Sequence, residues 1–166
     1  MGAISPDWAG EGSYVLDYEV IASEICIALN DARVKPGELV RQSSHADVIK
    51  RAREQLADIF EKSDQSIYVY LDDINKVCNE RFASLLGYAT PSEWAAVRQN
   101  FPEAFVSPKD RQRLVSAYQD AVDKLVGSAI SISWKKKGGR EVSTTTILVP
   151  ITFEGHRMAL HFISPS

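Results

Sequence analysis

Residues 141–163, EVSTTTILVPITFEGHRMALHFI, decide the fold. Neighbouring side chains on a strand point to opposite faces of its sheet. In Thr146-Ile147-Leu148-Val149 the neighbours Ile147, Leu148 and Val149 are nevertheless all apolar. After the turn at Glu154-Gly155, Met158, Leu160 and Phe162 point one way, and Ala159 and Ile163 the other. A sheet wetted on one face alternates polar and apolar residues. These two strands do so only in part, so both faces need cover. At about 25 cal/mol per Å² of apolar area, leaving such a face wet costs several kcal/mol. Pro150 donates nothing to a ladder and marks a possible bend in the long strand.

Upstream, the pattern predicts a third antiparallel strand over 129–136, with Ile130, Ile132 and Trp134 on one face. Gly138-Gly139 sits at the hairpin turn, where positive φ is needed. Ser107-Pro108-Lys109-Asp110 reads as a helix start, and the helix is expected to run to about Val126, with Gly127 beyond it. Its apolar face is Leu114, Tyr118, Val122 and Leu125. Thr90-Pro91-Ser92-Glu93 opens another helix, with a capping hydroxyl, proline at the first position and a carboxylate at the third. Asn79 caps a short helix that runs to Leu86 and stops at Gly87. Residues 67–71, IYVYL, read as a strand ended by Asp72-Asp73, with a short second strand over 75–78.

Two helices are expected before these strands. The first spans 14–32, with Tyr18, Ile21, Ala22, Ile25 and Leu29 on one face, and Lys35-Pro36-Gly37 beyond it breaks the pattern. The second spans 45–62, capped by Ser44 and Asp47, with the stripe Val48, Ala52, Leu56, Ile59 and Phe60. Lys50, Arg53, Glu54, Asp58 and Glu61 lie opposite. That stripe serves equally as a lid on the sheet or as a dimer seam. Residues 1–13 read as a loose tail. The expected organisation is therefore a tail and helical extension over 1–63, for capping or dimerisation, and a domain over 64–166.

The 166 residues suit one domain. Hydrophobic residues at 45% and charged residues at 25% exclude a disordered or collagen-like chain. A net charge of −3, from 19 basic and 22 acidic residues, gives no footprint for nucleic acid or anionic lipid. Cys26 and Cys78 make neither metal spacing nor a disulfide framework, so a reducing, cytoplasmic setting is expected. No basic-then-apolar leader opens the sequence, and no apolar run is long enough to span a membrane.

Two strands, several short helices, one long helix and three antiparallel strands follow in order. Within them Val77-Cys78-Asn79-Glu80-Arg81-Phe82-Ala83-Ser84-Leu85-Leu86-Gly87-Tyr88 resembles the strand-to-helix segment of the PAS sensor family, with its Asn after the second strand and its Leu-Gly-Tyr-like turn. Ser107-Pro108-Lys109-Asp110-Arg111 resembles that family's entry to the long helix. Trp134-Lys135-Lys136-Lys137-Gly138-Gly139 resembles its Lys-Asp-Gly hairpin. The resemblance covers about 64–164. It implies an α+β fold: a five-stranded antiparallel sheet with helices on one face, the N-terminal helical extension covering the other. The final strand departs from the family pattern. His161-Phe162-Ile163-Ser164 stands where an Asp-Ile-Thr-like triplet often couples to an effector, so output is expected through the N-terminal helices or an interface.

The resemblance also implies which chemistry to look for. Haem-binding members use a His on the long helix, and residues 108–126 contain none. Flavin-thiol members carry an Asn-Cys-Arg-Phe-like helix, whereas Cys78 precedes its Asn, so that match fails in register. Trp94, Trp134 and Tyr118 suit a flavin ring, but each also fits its own core face. A small metabolite, or no cofactor, is the expectation, and both thiols read as buried and inert. No catalytic triad, carboxylate pair or metal-ligand set stands out. Asp72-Asp73 reads as a turn pair, His156 as a solvated turn residue and Lys135-Lys136-Lys137 as a hairpin tip.

The expected function is thus a non-enzymatic sensory or regulatory module. Its pocket walls are Phe82, Leu86, Tyr118, Trp134 and His161, inferred from their apolar faces. A homodimer through the N-terminal helices is expected, a signalling protein partner is allowed, and neither nucleic acid nor membrane is expected. One alternative is a ligand-free scaffold for protein–protein interaction or dimerisation. The other is a cone-shaped α+β isomerase or dehydratase, which needs an acid–base pair the sequence does not offer.

Overall fold

A computed structural model describes residues 44–166. The expected tail, the 14–32 helix and Cys26 lie outside the described residues. The sheet has five antiparallel strands in the order β2-β1-β5-β4-β3. They are β1 (Ser66–Tyr70), β2 (Lys76–Cys78), β3 (Ser128–Lys135), β4 (Glu141–Phe153) and β5 (His156–Pro165). β5 lies at the centre, pairing Tyr68 with His161 on one side and Leu148 with His161 on the other.

Both faces of this sheet are covered, as the two-sided strands require. Ile67, Val69, Val149, Ile151, Met158, Leu160 and Phe162 form one apolar face. Helices α1 (His45–Gln55) and α2 (Ala57–Lys62) lie on it through Val48, Ala52, Leu56 and Phe60. The 45–62 segment is thus two helices, with Leu56 between them at φ −92°, ψ 10° and fully buried. Its stripe packs on the sheet of its own chain, as a lid does. Ser44 caps α1 by accepting from the Asp47 amide at 3.2 Å. Arg51 and Glu154 pair through two hydrogen bonds and tie α1 to the β4–β5 turn. At that turn Glu154 and Gly155 both have positive φ, as a tight hairpin of this hand demands.

The cover is not complete. On β3 and the first half of β4, the residues facing α1's side include Ala129, Ser131 and Ser143, all exposed. Over 128–132 the burial alternates with period two, and water is a good enough neighbour there; Ser133, on the same face, is buried. Pro150 lies beyond the last β3 partner of β4, Leu148, so on that side its missing N–H costs no ladder bond.

The other face carries α3 (Glu80–Leu85), α4 (Pro91–Ala95), α5 (Phe101–Phe105) and α6 (Arg111–Lys124). Asn79 caps α3, accepting from the Phe82 amide at 3.0 Å. Thr90 caps α4, and Glu93 reaches back to the Ala89 amide. The Leu-Gly-Tyr turn meets the β3–β4 hairpin: Lys137 N–H donates to the Leu86 carbonyl at 2.8 Å, and its ammonium pairs with Glu93.

The long helix is shorter than expected at both ends. Asp110 does not use its side chain to cap α6; its carboxylate accepts from the Ser133 amide at 2.9 Å. Ser107 donates its own amide to the Ser133 carbonyl, so residues 107–110 are spent on β3, and the helix begins at Arg111. At the far end Leu125 turns left-handed at φ 56°, and the Val126 amide closes the cap on the Asp120 carbonyl. The buried stripe is Leu114, Ala117 and Ala121, while Leu125 is half exposed. Fourteen residues give α6 a length of about 21 Å.

Candidate functional site

The face of the sheet under α3–α6 divides into a solid half and a hollow half. In the solid half the rings of Phe82, Trp94 and Trp134 pack edge to face, with centroids 5.3 and 5.5 Å apart. Trp134 Nε1 donates to Thr144 Oγ1 at 2.9 Å, so its polar atom is satisfied inside the core. Phe82, Leu86 and Trp134 are fully buried here and are not among the residues that line the cavity of the other half. They point the way their faces predict, but other side chains fill the space in front of them.

The hollow half holds a cavity of about 300 Å³ between β1, β5, α5 and α6. Of the expected pocket residues, Tyr118 and His161 line it. Tyr68, Tyr70 and Phe101 complete the aromatic wall. Leu114, Val115 and Pro102 add apolar surface, and Asn100 and Gln119 stand at the rim. Tyr68 and Tyr70 alternate along β1, and the register sets Tyr68 opposite His161, so they share its face. That much was readable from IYVYL. Phe101 comes from a five-residue helix too short to show a period.

His161 is the distinctive group. It is 1% exposed, and its ring stacks on Tyr68 with centroids 4.0 Å apart and planes 9° apart. Its Nδ1 has no hydrogen-bond partner among the described residues. Burial lowers its pKa from 6.5 to about 3, so the ring is neutral near neutral pH. Across from it Tyr118 lies nearly parallel, 12° off, at 6.4 Å between centroids. The Tyr118 hydroxyl is within 3.3 Å of the Tyr70 and Leu71 carbonyls.

Asp72-Asp73 does more than turn the chain. Asp72 accepts from the Ile74 and Asn75 amides, as a turn aspartate does. Asp73 accepts from the Tyr70 hydroxyl and from the Phe101 amide, both at 2.9 Å, and so fixes two walls of the cavity. Burial, reinforced by that Asp73 contact, raises the Tyr70 pKa and keeps its proton in place.

A second, wider cleft of about 900 Å³ lies between the α1–α2 segment and α3–α4. Arg53, Glu61, Glu80 and Arg81 line it, all exposed and of mixed sign. Cys78 lies at its floor, 1% exposed, and burial pushes its thiol up to about 12, which keeps it protonated and unreactive. Mixed exposed charge and an inert thiol recommend this cleft less than the aromatic cavity.

A PAS domain from Colwellia psychrerythraea superposes with a TM-score of 0.54 at 22% identity, over 68% of this chain and 95% of that one. The chain has the PAS fold. A PAS domain of a two-component sensor histidine kinase gives 0.53 at 9% identity, over 70% and 99% of the two chains. A light-oxygen-voltage domain, from work with a flavin analogue, gives 0.52 at 14% identity over 67% and 84%. No family model and no curated protein matches the sequence. The PAS fold, with its strand order, sets the cone-shaped alternative aside. Among the described residues, no helix is long and apolar enough to cross a membrane.

Proposed function

We propose that the protein is a non-enzymatic sensory or regulatory module that binds a small molecule in the aromatic cavity. The observation that carries this is the cavity itself, about 300 Å³ between the sheet and α5–α6 and walled by Tyr68, Tyr70, Phe101, Tyr118 and His161. The PAS fold supports the reading, since sensor proteins use it.

The route of output follows from β5. His161 faces the cavity, while its neighbours Leu160 and Phe162 face α1 and α2 on the opposite side. A ligand that moves β5 at His161 changes the packing under the N-terminal helices. Binding would then shift a two-state equilibrium of sheet against lid. Homodimerisation belongs to the same proposal, but not through the 48–60 stripe, which the sheet occupies. Light scattering on the full chain reports the oligomeric state, and a monomer at every concentration removes the dimer. A cytoplasmic setting and a signalling protein partner are part of the reading as well.

A thermal-shift screen over a broad set of metabolites tests the binding step, because a ligand that prefers the folded state raises its melting temperature. Saturable stabilisation that Leu114→Trp abolishes, by filling the cavity, is the expected result. If no compound stabilises the protein, the sensory reading yields to the scaffold alternative. The solid packing around Phe82, Trp94 and Trp134 favours that second reading.

A further inference from the structure

We infer that β3 is a dimer edge: its open first half, over 127–131, pairs antiparallel with the same stretch of a second copy of this chain, about a two-fold axis at Ala129. This rests on the homodimer part of the reading above and gives it a surface.

The first argument is hydrogen-bond balance. β3 is an edge of the sheet, and segment 107–113 covers only part of its outer side. Ser133 N–H donates to the Asp110 carboxylate at 2.9 Å, and the Ser133 carbonyl accepts from the Ser107 amide at 2.8 Å. The Ser131 carbonyl accepts from Arg113 at 2.8 Å. Outward groups recur at every second residue of an antiparallel edge. The next ones are therefore the Ser131 amide and both main-chain groups of Ala129. Among the described residues these have no hydrogen-bond partner, and Ala129 and Ser131 are exposed.

The second argument is protection. Natural sheets blunt open edges with short strands, lysine or proline. β2, the opposite edge, is three residues long and carries Lys76. Past Leu148, where β4 loses β3 as a neighbour, Pro150 stands. The second half of β3 lies under 107–113. Its first half has none of these devices: residues 125–134, LVGSAISISW, hold no charge and no proline. Leu125 and Val126, two of the three exposed large hydrophobics among the described residues, lead into it.

The third argument names the occupant. An antiparallel strand paired with itself generates a two-fold, self-complementary contact. Centred on Ala129, the two copies of that residue face each other and exchange both N–H···O bonds. Ser131 then meets Gly127 of the second copy, and Leu125 and Val126 of each copy lie toward the 107–113 segment of the other. Charge agrees with this arrangement. Arg113, Lys135 and Lys136 stand at one end of the edge, and Asp120 and Asp123, on the last turns of α6, at the other. Antiparallel pairing brings the basic end of each copy to the acidic end of the other, with no charge at the axis.

The test is sedimentation and light scattering of the full chain over a range of concentrations. Ala129→Pro removes an outward N–H and no bond of the β4 ladder. Val126→Lys places a charge on an exposed position. Each is expected to raise the dimer dissociation constant at least ten-fold, with the far-ultraviolet spectrum unchanged. Ala129→Cys gives a gain of signal. Facing Cα atoms of such a pair lie about 5.5 Å apart, which a disulfide spans. Mild oxidation should therefore cross-link Ala129→Cys far more than Ser143→Cys, an exposed control on β4. A dimer that neither Ala129→Pro nor Val126→Lys weakens, or equal cross-linking of the two cysteine variants, overturns this surface and leaves the homodimer reading standing. A wild-type chain that stays monomeric at every concentration overturns both.

Discussion

Asn79 joins two elements and the link that leads into β1 with one amide. Its oxygen accepts from the Ile67 amide of β1 and the Phe82 amide of α3, each at 3.0 Å, and its nitrogen donates to the Gln65 carbonyl at 2.9 Å. The side chain is buried, so water cannot replace it. Asn79→Ala leaves two buried amides unpaired and is expected to cost about 2–4 kcal/mol, read from the urea midpoint. A loss no larger than an exposed cap's, about 1 kcal/mol, would mean that Asn79 is only a helix cap.

His161 sets a pH dependence at the same scale. Its folded pKa is about 3 against 6.5 for a free imidazole. Below pH 6.5 the unfolded chain binds a proton that the folded chain refuses. Stability is therefore full above 6.5 and falls as pH drops from 6.5 toward 3, by about 1.4 kcal/mol per unit from this group. Denaturant titrations from pH 7 down to pH 5 check this. The slope should shrink in His161→Phe by the same amount, and an imidazole titrating near 6 in the folded protein would refute it.

Among the elements, the α1–α2 lid carries the clearest load. Leu56 sits at its bend with no exposed surface, in contact with the apolar face of β1, β4 and β5. Leu56→Ala is expected to cost about 2–5 kcal/mol, as other buried leucines do. Hydrogen exchange should then speed up in 45–62 more than in α6, which lies on the other face. Uniform acceleration throughout would show that the lid does not open on its own. The amphipathic pattern of this segment was legible: Lys50, Arg53, Glu54, Asp58 and Glu61 are all exposed. The choice between lid and seam was not, because one apolar stripe fits either partner. The long helix was misread at its ends for a related reason. Asp110 is a good capping residue, but β3 offered its carboxylate a buried amide, and that contact is invisible to local sequence.

For the whole molecule, the lid makes the sheet dependent on residues outside the strands. A chain starting at residue 63 would lay Ile67, Val69, Val149, Leu160 and Phe162 open to water. Such a fragment is expected to aggregate or to bind a hydrophobic dye, whereas one starting at residue 44 keeps its lid. A soluble, dye-silent 63–166 fragment as stable as the longer one would contradict this.

The sequence by itself determined the strands, the caps at Asn79 and Thr90, the greasy character of both sheet faces and so the need for a cover on each. These depend on period and turn chemistry, which are local. It also placed Tyr118 and His161 on the right faces. Only the tertiary structure decided that Phe82, Leu86 and Trp134 close into a solid aromatic mass while Tyr68, Tyr70 and Phe101 join Tyr118 and His161 around a hollow. A cavity is what remains after side chains from distant elements have filled the rest of the space. Its position is set by volumes and register summed across the sheet, and no stretch of chain records that sum.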